Sequence, residues 1–186
     1  MQLTAGLKAK PFRMQDASGR TIDLQDFKGS KVLVSFFRDV TCPFCNLRVH
    51  FLSSKKQELE DLGLKMIFFF ESTGELLTKS THHRKVHPVP LVPDPEHKMY
   101  DQYGVESSTG KVLKTMFTKG AFSAMKEGNS FETPTDKEEH LRASLIPADF
   151  LIDEKGYIHT AHYGKNVRDH LPIEQIKAFA RQLVVG

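Results

Sequence analysis

Two stretches constrain this fold more than anything else in the chain: "KVLVSFF", Lys31 to Phe37, and "LKMIFFF", Leu64 to Phe70. Each is a run of strand formers with apolar residues at successive positions, so each has to be covered on both faces. Between them, residues 43 to 62 read as a helix with Leu47, Phe51, Leu59 and Leu62 on its inner face and Gly63 as its stop. A strand–helix–strand unit of this kind predicts parallel neighbours joined by a right-handed crossover. Before it, "GRTIDLQDFKG" reads as a short extended segment. After it, "STGELLTKSTHHRK" reads as a helix opened by a capping box at Ser72 and Glu75. "PLVPD" gives a short strand and "PEHKMYDQYGV" a short helix. Near the end, "ADFLIDEKGYIHTAHYG" reads as a hairpin. "PIEQIKAFARQLV" closes the chain as a helix, with Pro172 early and Ile173, Ile176, Phe179, Ala180 and Leu183 on one face.

The expected architecture is α/β, a mixed sheet with helices on both faces. Residues 106–144 break the pattern with Gly, Ser, Thr and Lys, and read as an excursion carrying one short helix within a single domain of residues 1–186. The formal charge of +3 is spread among interspersed acids and bases, which argues against a dedicated nucleic-acid binder. No apolar run approaches the ~20 residues of a membrane span. The opening "MQLTAGLKAKPFRMQD" carries no signal-like stretch, so a cytoplasmic location is the expectation.

The chain holds two cysteines, Cys42 and Cys45, in "TCPFC". Cys42 follows a buried strand and Cys45 falls in the first turn of the next helix, with Pro43 where proline is tolerated. Unpaired N–H groups and the positive end of the helix dipole favour a thiolate there. That dipole contributes up to ~2 kcal/mol; at about 1.36 kcal/mol per pKa unit it takes a thiol from ~8.5 to about 7. Arg38 adds to this if it turns toward the sulfur. Cys45, one turn on, can attack a mixed disulfide formed at Cys42. Two other readings compete. A structural disulfide over so short a loop contributes only about 2 kcal/mol and is out of place in a cytosolic protein. A zinc site needs four ligands, for which His82, His83 and His87 would have to complete the pair. The redox pair is the favoured reading, and it calls for no bound cofactor or metal.

The motifs carry a resemblance as well. "LKAKPFRMQDASGRTIDLQDFKGSKVLVSFF", "CPFC", "LVPDPEHKMYDQYGV", "IPADFLIDEKGYI" and "HTAHYGKNVRDHLPIEQI" occur in the order found in AhpC/TSA, or peroxiredoxin-like, proteins of the thioredoxin-like superfamily. The chain resembles a branch with a C-P-F-C active site and a long insertion, here 106–144, before the cis-proline strand. The resemblance implies a thioredoxin-like fold and a thiol-dependent oxidoreductase. Cys42 would attack a disulfide or hydroperoxide, Cys45 would resolve the intermediate, and a thioredoxin- or glutathione-type thiol would restore the dithiol. It implies that Pro147 is cis and brings the Ile146 backbone beside the cysteines, free to pair with an extended substrate. It also allows a homodimer. The chain departs from the usual Pro-x-x-x-Thr/Ser-x-x-Cys: counting back from Cys42 gives Asp39 and Ser35, and from Cys45 gives Cys42 and Arg38. Pro147 stands where a peroxiredoxin arginine is usual. Slow peroxide reduction is therefore expected beside disulfide exchange. The alternative is a redox-sensing or binding module without turnover. Arg38, Asp39, Thr41 and Phe44 are candidates to tune the thiols or shape access. His159 and His162 read as surface residues, and Asp149 as either cleft-facing or an exposed strand position.

Overall fold

The computed structural model describes residues 1–136 and 138–182. Its main sheet has five strands: β3 (Lys31–Phe36), β4 (Leu64–Phe70), β5 (Leu91–Pro93), β6 (Ala148–Ile152) and β7 (Ile158–Tyr163), in the order β5-β4-β3-β6-β7. β3, β4 and β5 run parallel, while β6 lies antiparallel to β3 and β7 to β6. The central place of β3 explains its composition, since every one of its residues is buried. β1 (Arg13–Gln15) and β2 (Thr21–Asp23) form a separate hairpin.

Alternation along the strands divides the core in two. Leu33, Phe37, Phe68, Phe70 and Leu151 point to one face, where Val49, Leu52, Leu59, Ile176 and Phe179 cover them. Val34, Phe36, Ile67, Phe69 and Phe150 point to the other, against Phe12, Ile22, Tyr100 and Tyr103. Phe68, Phe69 and Phe70 are each fully buried; burial of a Phe side chain stabilises by about 1.5–3 kcal/mol. The architecture is the expected thioredoxin-like one, a mixed sheet flanked by helices.

Several elements differ in detail from the sequence reading. Residues 43–62 form two helices, α1 (Pro43–Ser54) and α2 (Lys56–Asp61), parted at Lys55. The face of α1 toward the sheet is Cys45, Asn46, Val49 and Leu52, whereas Phe51 is exposed and Leu47 half-buried. The cap at Cys42 sets this rotation and turns Leu47 and Phe51 to the outer side. The helix after β4 is also split, into α3 (Gly74–Lys79) and α4 (Thr81–Arg84), because Ser80 ends one and caps the other. The cap of α3 is Thr73, not Ser72. The Ser72 hydroxyl instead accepts from Val40 N–H at 3.0 Å, fastening the cysteine loop to the end of β4.

After α5 (Lys98–Gln102), the excursion carries two helices rather than one, α6 (Thr109–Met116) and α7 (Ala121–Gly128). α7 lies against α1, and at Gly128 a Cβ would stand 2.1 Å from Pro43 O. In α8 (Ile173–Ala180), Pro172 is the N-cap residue, and Leu183 lies outside the described residues. Among the described residues no helix is long and apolar enough to cross a membrane.

Candidate active site

β3 ends at Phe36, and the loop 37–42 turns the chain into α1 with Cys42 as its N-cap. The Cys42 sulfur takes the place of a capping oxygen, accepting from Cys45 N–H at 3.4 Å. The two sulfurs are in hydrogen-bond contact, 2.7 Å apart, and both cysteines are free. Cys42 keeps 4% exposure and Cys45 none. Burial pushes the Cys45 thiol well above its ordinary range, and the hydrogen bond to Cys42 pushes the same way. The dipole argument for easy thiolate formation therefore fails at Cys45, because enclosure outweighs it. The proton stays on Cys45, and the pair is asymmetric.

Arg38 and Asp39 are mostly buried, not a solvated pair. Their charged groups lie 3.9 Å apart, with side chains 18% and 7% exposed. Burial disfavours the Arg38 cation, but the Cys42 and Cys45 sulfurs, then Asp39 and Glu71, hold it charged. Asp39 accepts from Thr41 N–H at 2.9 Å and from the Thr41 hydroxyl, which fixes the turn before Cys42. Thr41 is exposed and Phe44 half-buried on the first turn of α1.

The cis-proline expectation is corrected. Among the described residues the cis peptide bond is His87–Pro88, so Ile146–Pro147 is trans. Nor is the Ile146 backbone free for a substrate. Its N–H donates to Glu106 O at 2.9 Å, while Gly164 N–H donates to Pro147 O. The start of the excursion thus occupies the edge that an extended substrate would need. In addition, most X–Pro bonds are trans wherever nothing holds them otherwise. Ile146 does pack in the same core cluster as both cysteines.

Two of the three histidines of the metal reading, His82 and His83, are otherwise engaged. His82 Nε2 lies 3.2 Å from Asn46 O, and the Ser80 hydroxyl meets His83 Nδ1 at 2.7 Å. Burial takes His83 down to about 3. His159 is exposed, and His162 pairs at the surface with Asp169.

Two functional candidates escaped the sequence reading. Glu71, at the end of β4, is fully buried. Its Oε2 lies 2.8 Å from His97 Nε2 and accepts from Arg142 N–H at 2.7 Å. Burial raises its carboxyl to about 7, with Asp39 adding to the rise. The second is His170, whose Nδ1 donates to Asp149 at 3.0 Å. Asp149 is fully buried rather than exposed. Burial opposes its charge, yet His170, Arg48 and the Leu171 N–H hold its carboxyl well below the usual range.

Comparison with known proteins bears on the family and the fold. The profile described as AhpC/TSA family matches residues 5–161. Peroxiredoxin Bcp of Escherichia coli strain K12 is 28% identical over 61% of this chain and 72% of its own. The Haemophilus influenzae bcp relative is also 28% identical, over 55% of this chain, and the match spans 66% of that relative's length. Among solved structures, Peroxidoxin BcpB from Mycobacterium tuberculosis superposes with a TM-score of 0.67 at 14% identity, over 97% of each chain. A yeast mitochondrial 1-Cys peroxiredoxin gives 0.65 at 14%, over 95% of this chain and 74% of that one. At such identities the structural likeness is one of fold. The match to the family over most of its length, with a C-x-x-C pair at the head of α1, makes this chain a member of the AhpC/TSA family, a thiol-dependent, peroxiredoxin-like redox protein.

Proposed function

We propose that the protein is a dithiol–disulfide oxidoreductase with slow hydroperoxide reduction as a second activity, and that Cys42 attacks while Cys45 resolves. The observation that carries this reading is the unequal setting of the two sulfurs: Cys42 caps α1, accepting from Cys45 N–H, and keeps 4% exposure, whereas Cys45 is fully enclosed. A thiolate at Cys42 is favoured by the helix N-terminus and can be reached, while burial keeps the Cys45 thiol protonated until the second step. Arg38 supplies positive charge to both.

The Cys42 thiolate attacks one sulfur of a disulfide, forming a mixed disulfide and releasing the other half as thiolate. The Cys45 thiol loses its proton to that thiolate or to water and attacks Cys42, closing the intramolecular disulfide and releasing the second thiol. With a hydroperoxide, Cys42 takes the terminal oxygen and becomes a sulfenic acid, the alcohol leaves, and Cys45 condenses with loss of water. An external thiol of thioredoxin or glutathione type returns both to the dithiol. Arg38, Asp39, Thr41, Phe44 and Ile146 shape the loop. With its bond trans, Pro147 acts as a packed neighbour and not as a substrate platform. A cytoplasmic location and a single domain with residues 106–144 as an insertion complete the proposal.

Anaerobic stopped-flow mixing of the reduced protein with a small disulfide and, separately, with hydrogen peroxide tests it. Disulfide exchange at least as fast as peroxide reduction is expected. Rapid oxidation by stoichiometric peroxide, with no reaction toward disulfides, overturns the ranking. A protein that is oxidised once but never turns over with any thiol couple reinstates the sensor reading.

A further inference from the structure

Phe44, Arg48 and Phe51 follow one another along the outer side of α1, beginning two residues beyond Cys42. Facing them, the loop after β7 brings up Arg168 and His170, and together they line a cleft of about 240 Å³. The Arg168 guanidinium lies 5.9 Å from the centre of the Phe44 ring, and that of Arg48 lies 5.7 Å from Phe51. Arg168 is anchored by donating to Thr118 Oγ1 and Lys119 O, and Arg48 by donating to Leu171 O at 2.6 Å.

None of the described lining residues is acidic. The neighbouring carboxylate, Asp149, is already engaged by His170 Nδ1 and Leu171 N–H. Two nitrogens are left over. Arg48 Nε and His170 Nε2 are enclosed and have no hydrogen-bond partner among the described residues, and the His170 side chain is only 4% exposed. Buried donors are normally satisfied, and Arg48 Nε is an unmet donor. His170 Nε2 accepts in the neutral imidazole and donates only when the ring is protonated. Two guanidinium groups with no acidic residue among the described lining call for a group that brings oxygens.

We propose that this cleft is an anion subsite holding the carboxylate of the small organic molecule that exchanges electrons with Cys42. The proposal rests on the reading of Cys42 as the reacting thiol. Guanidinium groups suit a carboxylate by charge and planar geometry, and the two phenylalanine rings suit an adjoining apolar or thioether chain. Two sources carry this chemistry: a thiol of the glutathione type and a carboxylate-bearing organic hydroperoxide.

The test is calorimetric titration of the Cys42→Ser/Cys45→Ser protein, in which no redox step intervenes, with S-methylglutathione, octanoate and octanamide. Saturable binding of a carboxylate is expected, weakened tenfold or more by Arg168→Gln and by Arg48→Gln. Octanamide, matched in shape but uncharged, binds at least tenfold more weakly than octanoate if octanoate is the better ligand. Tighter binding of S-methylglutathione assigns the subsite to the reductant; tighter binding of octanoate assigns it to the hydroperoxide. Arg168→Gln leaves the Arg48–Leu171 anchor intact and keeps the test decisive if Arg48→Gln does not fold. No saturable binding of either carboxylate, or affinity unchanged in Arg168→Gln, overturns the proposal. Because this protein lacks both thiols, the result stands apart from any failure to trap an adduct on Cys42.

Discussion

Glu71 Oε2 and His97 Nε2 lie 2.8 Å apart, in the buried interior at the end of β4, so a single proton between them satisfies both. The Glu71 carboxyl is raised by burial from 4.5 to about 7. The unfolded chain therefore loses this proton at a lower pH than the folded one. Below about pH 4.5 both forms are protonated, with no penalty; stability then falls as pH rises toward 7. The total is about 3 kcal/mol. Glu71→Gln removes the ionisation, so its stability relative to the parent should improve from pH 5 to pH 8. Urea unfolding at the two pH values measures this. A difference that does not change with pH means that Glu71 is ionised throughout.

Exchange of the two cysteines separates their roles. Cys42→Ser should abolish turnover. Cys45→Ser should complete the first attack and stop, holding a mixed disulfide or a sulfenic acid on Cys42. Mass spectrometry after limited oxidant reads both. An adduct on Cys45 in the Cys42→Ser protein, with none in the converse, reverses the assignment.

Arg38 is the positive charge that the sulfurs share. Arg38→Met should slow alkylation of Cys42 by iodoacetamide at pH 7 by about tenfold, equivalent to ~1.4 kcal/mol. An unchanged rate would show that the helix N-terminus suffices alone.

Gly128 has no room for a side chain against Pro43. Gly128→Ala must push α7 and the cysteine loop apart, lowering stability by about 1–3 kcal/mol. Iodoacetamide should then label Cys42 faster in the variant than in the parent. Equal labelling and an equal melting temperature would mean that α7 does not bear on the loop.

What could be read from the sequence follows the range of the forces involved. β3 and β4 were legible because continuous Val, Leu and Phe have few homes other than a buried strand. The C-P-F-C spacing fixed the place of both sulfurs because cap, proline and first turn are local. Ser72 was misread as a cap because its true partner, Val40, is 32 residues away. Glu71 adjoins that same helix signal and gives no local sign of burial. The Asp149–His170 pair was out of reach for the same reason, since it joins a strand to a loop 21 residues on. At Pro147 the local motif suggested a cis bond, but the hydrogen bond from Ile146 to Glu106 belongs to the excursion, whose path no periodicity reveals. Exposed apolar residues on both of its helices, Leu113 and Met116 on α6 and Phe122 on α7, blur the pattern that would separate them.

The contact between Gly128 and Pro43 bears on which reactants can be served, and how quickly. Backbone of α7 packed this tightly on the residue next to Cys42 would set reactants apart by bulk before any chemistry begins. On that geometry a small disulfide or hydroperoxide asks for less displacement of α7 than a disulfide carried on a folded protein. Two reductants of equal redox potential would then differ in rate by the free energy of that opening, and their ranking would change with temperature as the helix loosens.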